Sequence, residues 1–191
     1  AEVAVADHAQ VAVLGGEVLR WDWESTPDAR PIFIVNGLGE TLSVYDRQVG
    51  TVYRDAASVG HWPNFIAIRA GLGYVVNSGD NDVQLFDLND LSLVATIDLG
   101  VGNNPMQIAF LGENGYVSNL LSNTVSVIDL STHEVIATIP VGNGPTSVAA
   151  AGGKVFVGNV NLNWPNYGQG TVSVIDPATN QVTNTINVGT N

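Results

Sequence analysis

Cysteine is absent from this chain of 191 residues, which excludes disulfide staples, thiolate metal sites, thiol nucleophiles and covalent c-type haem attachment. Basic residues are scarce: six Lys and Arg stand against 18 Asp and Glu, giving a formal charge of -12. Binding by phosphate neutralisation needs clustered cations, so nucleic acid and anionic membrane surfaces are not expected partners. Such acidity suits the solvated, self-repelling exterior of an exported protein, or a cation-rich partner. No apolar run approaches the roughly 18 residues of a membrane span, so no membrane insertion is expected. The start, Ala1-Glu2-Val3, lacks the basic segment and apolar core of a leader, and the chain reads as mature or trimmed. A convincing helical period is missing as well. What the chain does have is apolar residues, 45% of the total, enough for a sizeable core.

Those apolar residues recur. A triplet ending in Asn occurs four times, at Ile34-Val35-Asn36, Val75-Val76-Asn77, Val117-Ser118-Asn119 and Val157-Gly158-Asn159, at intervals of 41, 42 and 40 residues. An alternating run closed by Asp follows each: Leu42 to Asp46, Val83 to Asp87, Val125 to Asp129 and Val172 to Asp176. Alternation at period two predicts strands. β-Branched segments come next, such as Val135-Ile136-Ala137-Thr138-Ile139, and then a glycine turn and a proline: Gly60-His61-Trp62-Pro63, Gly102-Asn103-Asn104-Pro105 and Gly142-Asn143-Gly144-Pro145. One unit is therefore four short strands: a after the Pro, b ending in Asn, c ending in Asp, d before the Gly.

Four-stranded units at a period near 40 predict an all-β fold of antiparallel propeller blades, about four of them. The segments Gly115 to Asn119, Asn123 to Asp129 and Ala137 to Gly142 resemble the YVTN repeat almost throughout, as do Thr171 to Asp176 and Ile186 to Gly189. The resemblance covers residues 32–191 as four YVTN-like repeats, with breaks near 63, 105 and 145. It is loosest in the first repeat, where Tyr53-Arg54-Asp55-Ala56 replaces the usual strand d pattern. Residues 1–31 form an N-terminal segment in which Gln10 to Gly15 parallels Gln107 to Gly112 and is expected to supply the first strand a, with Trp21 and Trp23 in the connection beyond it. The resemblance implies a ring of about seven blades. Four would be an incomplete ring within a longer propeller, one completed by another chain, or one that closes by itself.

The periodic polar residues read as scaffold. Asp46, Asp87, Asp129 and Asp176 stand before turns, where a carboxylate accepts amides two residues on. The Asn of strand b is expected to end its strand by tolerating left-handed dihedrals and bonding its own backbone. The prolines fix the entrance of strand a, and Asp80-Asn81-Asp82 reads as a tight turn rather than a calcium loop. Non-periodic residues are where function is sought. In an antiparallel meander the d-to-a and b-to-c loops share one rim, which gathers His61, Trp62, Asn64, Asn103 and Asn104. The b-to-c loop of the fourth repeat is seven residues longer than its counterparts and adds Trp164, Asn166 and Tyr167. Aromatic faces with amides suit stacking and hydrogen bonding of a polar ligand such as a sugar.

No nucleophile and base pair can be named. His8, His61 and His133 fall at different repeat positions, so neither catalytic residues, metal site nor cofactor is expected. The resulting expectation is an exported, non-catalytic interaction or scaffold module, extracellular, at the cell surface or periplasmic, that binds protein or glycan at one rim. The alternative is an enzyme or enzyme subunit, either a lactonase- or lyase-like propeller or an accessory subunit of a periplasmic dehydrogenase. The apolar strand a segments, such as Phe65-Ile66-Ala67-Ile68, offer no converging acids or His for that chemistry.

Overall fold

The computed structural model describes residues 31–163 and 166–190, with 163, 166, 167 and 190 as backbone alone, and the backbone of three strands before residue 31. Those three are β1 (Glu2–Val5), β2 (Val11–Leu14) and β3 (Glu17–Arg20). The first repeat supplies β4 (Ile32–Asn36), β5 (Thr41–Asp46) and β6 (Thr51–Ser58). The second supplies β7 (Pro63–Arg69), β8 (Leu72–Asn77), β9 (Asp82–Asp87) and β10 (Leu93–Asp98). The third is β11 (Pro105–Leu111), β12 (Asn114–Asn119), β13 (Thr124–Asp129) and β14 (Glu134–Pro140). The fourth begins with β15 (Pro145–Ala151) and β16 (Lys154–Asn159). It continues through a short insert, β17 (Leu162–Asn163) and β18 (Asn166–Tyr167), to β19 (Gln169–Asp176) and β20 (Gln181–Thr190). Among the described residues no helix is long and apolar enough to cross a membrane.

Pairing is antiparallel and, within each repeat, sequential. The four-stranded sheets are β1-β4-β5-β6, β7 to β10, β11 to β14, and β15-β16-β19-β20. Local turn chemistry sets this order. Ala70-Gly71 and Gly152-Gly153 have consecutive positive φ values of 51°, 78°, 55° and 72°, the tight hairpin geometry that matches strand twist. At each c-to-d turn the Asp accepts amides ahead of it: Gln48 N to Asp46 Oδ1 at 2.8 Å, Asn89 N to Asp87 at 2.8 Å, Ser131 N to Asp129 at 2.8 Å and Ala178 N to Asp176 at 3.0 Å. The four carboxylates are turn formers.

The chain divides into two compact units, 1–96 and 97–191. In the first, Phe33, Val35, Leu42 and Val44 of the first sheet form one core with Ile66, Val75, Phe86, Leu88 and Leu91 of the second. In the second, Tyr116, Val125, Val127 and Ile139 pack with Val148, Val155, Val157 and Ile175. Each large aliphatic side chain buried this way contributes about 1.5–3 kcal/mol. Because side chains alternate along a strand, Phe33, Val35, Leu42 and Val44 commit one face of the first sheet to the core. Ile34, Asn36, Thr41 and Ser43 stand on the other.

One expectation is overturned. The strand beside β4 is β1, with Glu2 opposite Val35 and Val5 opposite Ile32, and not the segment Gln10 to Gly15. Val11–Leu14 instead pairs with Glu17–Arg20. Only Gly15 and Gly16 separate these two strands in sequence, and a two-residue glycine connection favours local hairpin pairing over a distant partner. Trp21, Trp23 and His8 lie outside the described residues.

Candidate functional site

The d-to-a turns and b-to-c loops are bonded to one another, which places them on a common rim within each unit. Ser78 N donates to Trp62 O at 3.1 Å and Gly79 N to His61 O at 2.9 Å. Leu120 and Leu121 do the same to Asn104 and Asn103, and Val160 and Asn161 to Gly144 and Asn143. A second layer of bonds lies beneath. Asn36 Nδ2 donates to Thr41 Oγ1 and Ser43 Oγ at 3.0 and 2.8 Å. Asn119 reaches Thr124 and Ser126 at 3.0 and 2.9 Å, and Asn159 reaches Thr171 and Ser173 at 3.1 and 3.0 Å. Asn77 donates to Asp82 Oδ1 at 2.7 Å.

This corrects the sequence reading of the strand b Asn. None of the four has a positive φ, and their amides bond strand c side chains rather than their own backbone. The physical reason is burial: Asn77 and Asn119 are fully buried and Asn159 nearly so, and a buried Nδ2 donor must find acceptors across the sheet. The alternating Thr-x-Ser of strand c, replaced by Asp82-x-Gln84 in the second blade, was the signal for it.

Glycine turns sit on this layer. Gly142 N donates to Ser173 Oγ at 3.2 Å, and a Cβ on Gly142 would lie 2.6 Å from Asn159 Nδ2. Gly60 N donates to Gln84 Oε1 at 2.9 Å, and its Cβ would lie 2.7 Å from Asn77 Nδ2. The turn leaving one sheet thus latches onto the Asn seat of the next. Gly102 departs, with φ +83° and nothing near its Cβ.

Of the rim residues singled out from sequence, His61, Trp62 and Asn64 come from the first unit. His61 is exposed, its Nδ1 lies 3.6 Å from Asp80 Oδ2 and 3.9 Å from Glu40 Oε2, and its amide donates to Asp80 at 2.8 Å. Trp62 beside it is 61% exposed with φ 51°. The equivalent residues of the next two turns are Asn104 at φ 50° and Gly144 at φ 66°, types that enter the left-handed region at low cost. Asn64 is half-buried. Glu40 and Asp80 were not marked as rim residues from sequence, although their b-to-c loops predicted that location.

The second unit carries the other five. Asn103 and Asn104 are half-buried, and Asn103 Nδ2 donates to Leu99 O. The insert of the fourth repeat is a small hairpin, with Leu162 opposite Tyr167 and Asn163 opposite Asn166. Asn143 Nδ2 anchors it through Leu162 O at 3.1 Å. Asn166 and Tyr167 are described as backbone, and Trp164 lies outside the described residues. Asp80 and Asp82 each serve a partner of their own, and no group of three His, Cys, Asp or Glu able to hold a metal exists among the described residues. A shallow cleft of about 330 Å³ on the face of the first sheet opposite Phe33 and Val35 is lined by Ile34, Asn36, Ser43, Val52, Arg54 and Asp55.

No family model and no curated protein matches the chain. Solved structures do. Hydrazine synthase of Kuenenia stuttgartiensis superposes with a TM-score of 0.74 at 21% identity, over 97% of this chain and 50% of that one. The dihydro-heme d1 dehydrogenase NirN in complex with DHE superposes with a TM-score of 0.63 at 14% identity, over 86% of this chain and 36% of that one. The fold is that of β-propeller blades. This chain spans half or less of the length of these relatives, and identities this low carry the fold alone. The likeness to the YVTN family stays a resemblance of motifs, and each four-stranded sheet is a blade.

Proposed function

We propose that the chain is a non-catalytic interaction module of an exported protein, acting outside the cell, at its surface or in the periplasm. Its contact surface is the rim around Trp62, and the ligand is a glycan or a protein segment. The observation that carries this reading is the exposed indole in a left-handed backbone position where the sister turns use Asn104 and Gly144. A bulky residue there costs about 1–2 kcal/mol of conformational energy, and an exposed ring offsets little of it by packing. An indole face flanked by the hydrogen-bonding groups of His61, Glu40 and Asp80 suits a polyhydroxylated or cationic ligand.

Glycan-array and pulldown binding of the wild type, compared with Trp62→Asn, tests it. The variant carries the residue the repeat itself uses at that position, so the fold is kept and binding is expected to fall at least tenfold. Equal binding by folded Trp62→Asn removes the rim site. A second reading is favoured by the names of the two solved relatives, both enzymes that continue well beyond the matched part: the blades would then be the propeller portion of an enzyme or enzyme subunit, completed by further blades or another chain. A stoichiometric cofactor or metal in purified full-length protein would support that reading over the first.

A further inference from the structure

The first blade differs from the others at its Asn seat. In the second and fourth blades the seat receives a glycine amide from the preceding turn, Gly60 on Gln84 and Gly142 on Ser173. In the first blade the seat is Asn36, Thr41 and Ser43, on the face away from the core. There the acceptor is taken from within the blade. Asp55 N donates to Ser43 Oγ at 3.2 Å, and Thr41 Oγ1 donates to Asp55 Oδ1 at 2.7 Å.

Register explains how strand d reaches over. Leu42 pairs with Ala57 and Val44 with Tyr53, so residues 54–56 stand opposite the single residue Ser43. Asp55 turns into the left-handed region, φ 50°, and brings its amide onto the hydroxyl. In the third and fourth blades strand d bulges opposite Val127/Ile128 and Val174/Ile175, away from the seat; the fourth has a second irregularity opposite Gly170, beside the seat residue Thr171, and its Ser173 still receives the Gly142 amide. Bulges and charged side chains are established ways of blocking unwanted addition to a sheet.

We propose that Arg54 and Asp55 form a built-in plug: the first blade fills its own seat, so the face that carries the seat does not accept a further blade through the repeat's glycine latch. The surface this plug guards fits one partner, a blade of the same repeat from a second copy of this chain. The fourth blade offers the matching group, because Ile186-Asn187-Val188-Gly189 repeats the Ile139-Pro140-Val141-Gly142 whose glycine latches onto Asn159 and Ser173. A Cβ on Gly189 meets nothing within 4 Å. The inference is independent of the Trp62 rim.

Deleting residues 54 and 55 is the test, because it sets Ala56 opposite Ser43 and restores one-to-one register between Leu42–Ala57 and Val44–Tyr53. Sedimentation or light scattering should show the wild type at its 20.0 kDa mass under conditions where the deletion variant moves towards twice that value with rising concentration. Adding Gly189→Val to the deletion variant should abolish the gain, since the side chain would strike the Asn36 amide of the second copy, while Gly189→Val alone should leave the wild-type mass unchanged. A folded deletion variant with the wild-type mass distribution overturns the proposal, as does association insensitive to Gly189→Val. Should the deletion variant not fold, amide exchange of the wild type decides: a protected Asp55 amide that loses protection in Ser43→Ala supports the plug, and an Asp55 amide that exchanges as freely in the wild type refutes it.

Discussion

Replacing glycine by alanine at three equivalent turn positions should give three different outcomes, set by what a Cβ meets. At Gly142 the new carbon would lie 2.6 Å from Asn159 Nδ2, 2.7 Å from Asn159 Cγ and 2.9 Å from Thr171 Oγ1. Contacts this short do not occur, so either the turn lifts off or the Asn159 amide moves. The amide is pinned: it is nearly buried and bonds Thr171 and Ser173. Overpacking of this kind costs about 1–3 kcal/mol, and each buried hydrogen bond lost adds about 1 kcal/mol. The Gly142 N bond to Ser173 is at risk as well. A total of about 2–4 kcal/mol follows for Gly142→Ala, which at roughly 2–4 °C per kcal/mol lowers Tm by about 4–16 °C.

The other two positions serve as internal controls. Gly102 has open space at its Cβ but φ +83°, so its alanine variant should lose about 1 kcal/mol from backbone strain alone. Gly189 has neither clash nor positive φ, and Gly189→Ala should be neutral or slightly stabilising. Thermal and urea unfolding of the three variants would rank them. Gly142→Ala as stable as Gly189→Ala would refute the claim that the repeated glycine exists to clear the neighbouring Asn.

Two further expectations rest on charge. Asn77→Asp sets a second carboxylate against Asp82, 2.7 Å from the present amide, in a fully buried site. One of the pair must then bind a proton, and its pKa rises. The deficit against wild type should be about 3–5 kcal/mol at pH 7, shrink as pH falls from the pair's raised folded value towards the ordinary carboxylate pKa near 4, and change no further below it, as read by urea midpoints. Lys154, 2.8 Å from Asp176, holds that carboxyl below the usual range chiefly by a side-chain hydrogen bond, with the Ala178 amide second. A depressed carboxylate contributes stability above the usual range and loses it as pH falls through its folded value. In Lys154→Met the Asp176 carboxyl should titrate closer to the ordinary value by NMR, and the wild-type advantage should be absent in acid.

The fold was legible because a repeat states its pattern several times over. Strand c can be recognised from Val125-Ser126-Val127-Ile128-Asp129 alone, and three sister copies fix its neighbours. Asp turns were legible for the same reason, since an Asx turn is a contact between residues two apart. The Asn seat was not, because its partner lies five residues on in three blades and twelve in the fourth, across a turn, and its glycine comes from another blade altogether. The first strand a was misplaced because Val11 to Leu14 carries strand pattern, but no local rule says which distant strand it joins. At the candidate site, location was readable and backbone hand was not. Yet Asn104 and Gly144, at the position of Trp62, are the residues one expects where φ is positive, so the comparison between repeats contained the signal.

Of the non-glycine residues of the first unit in the left-handed region, Asp55 and Trp62 accept it for reasons that differ, and the proposed site rests on the difference. Asp55 gains bonds from Thr41 and to Ser43 within its own blade, so its conformation is explained by what it touches. Trp62 has the same backbone hand, but its carbonyl alone meets the fold, accepting from Ser78, and Asn or Gly would present the same carbonyl at lower cost. The indole is therefore not needed for the turn, and with 61% of the residue exposed it is not needed for the core. A side chain that the fold neither requires nor buries, at a strained position beside His61, Glu40 and Asp80, is the ground on which the proposed contact surface at Trp62 rests.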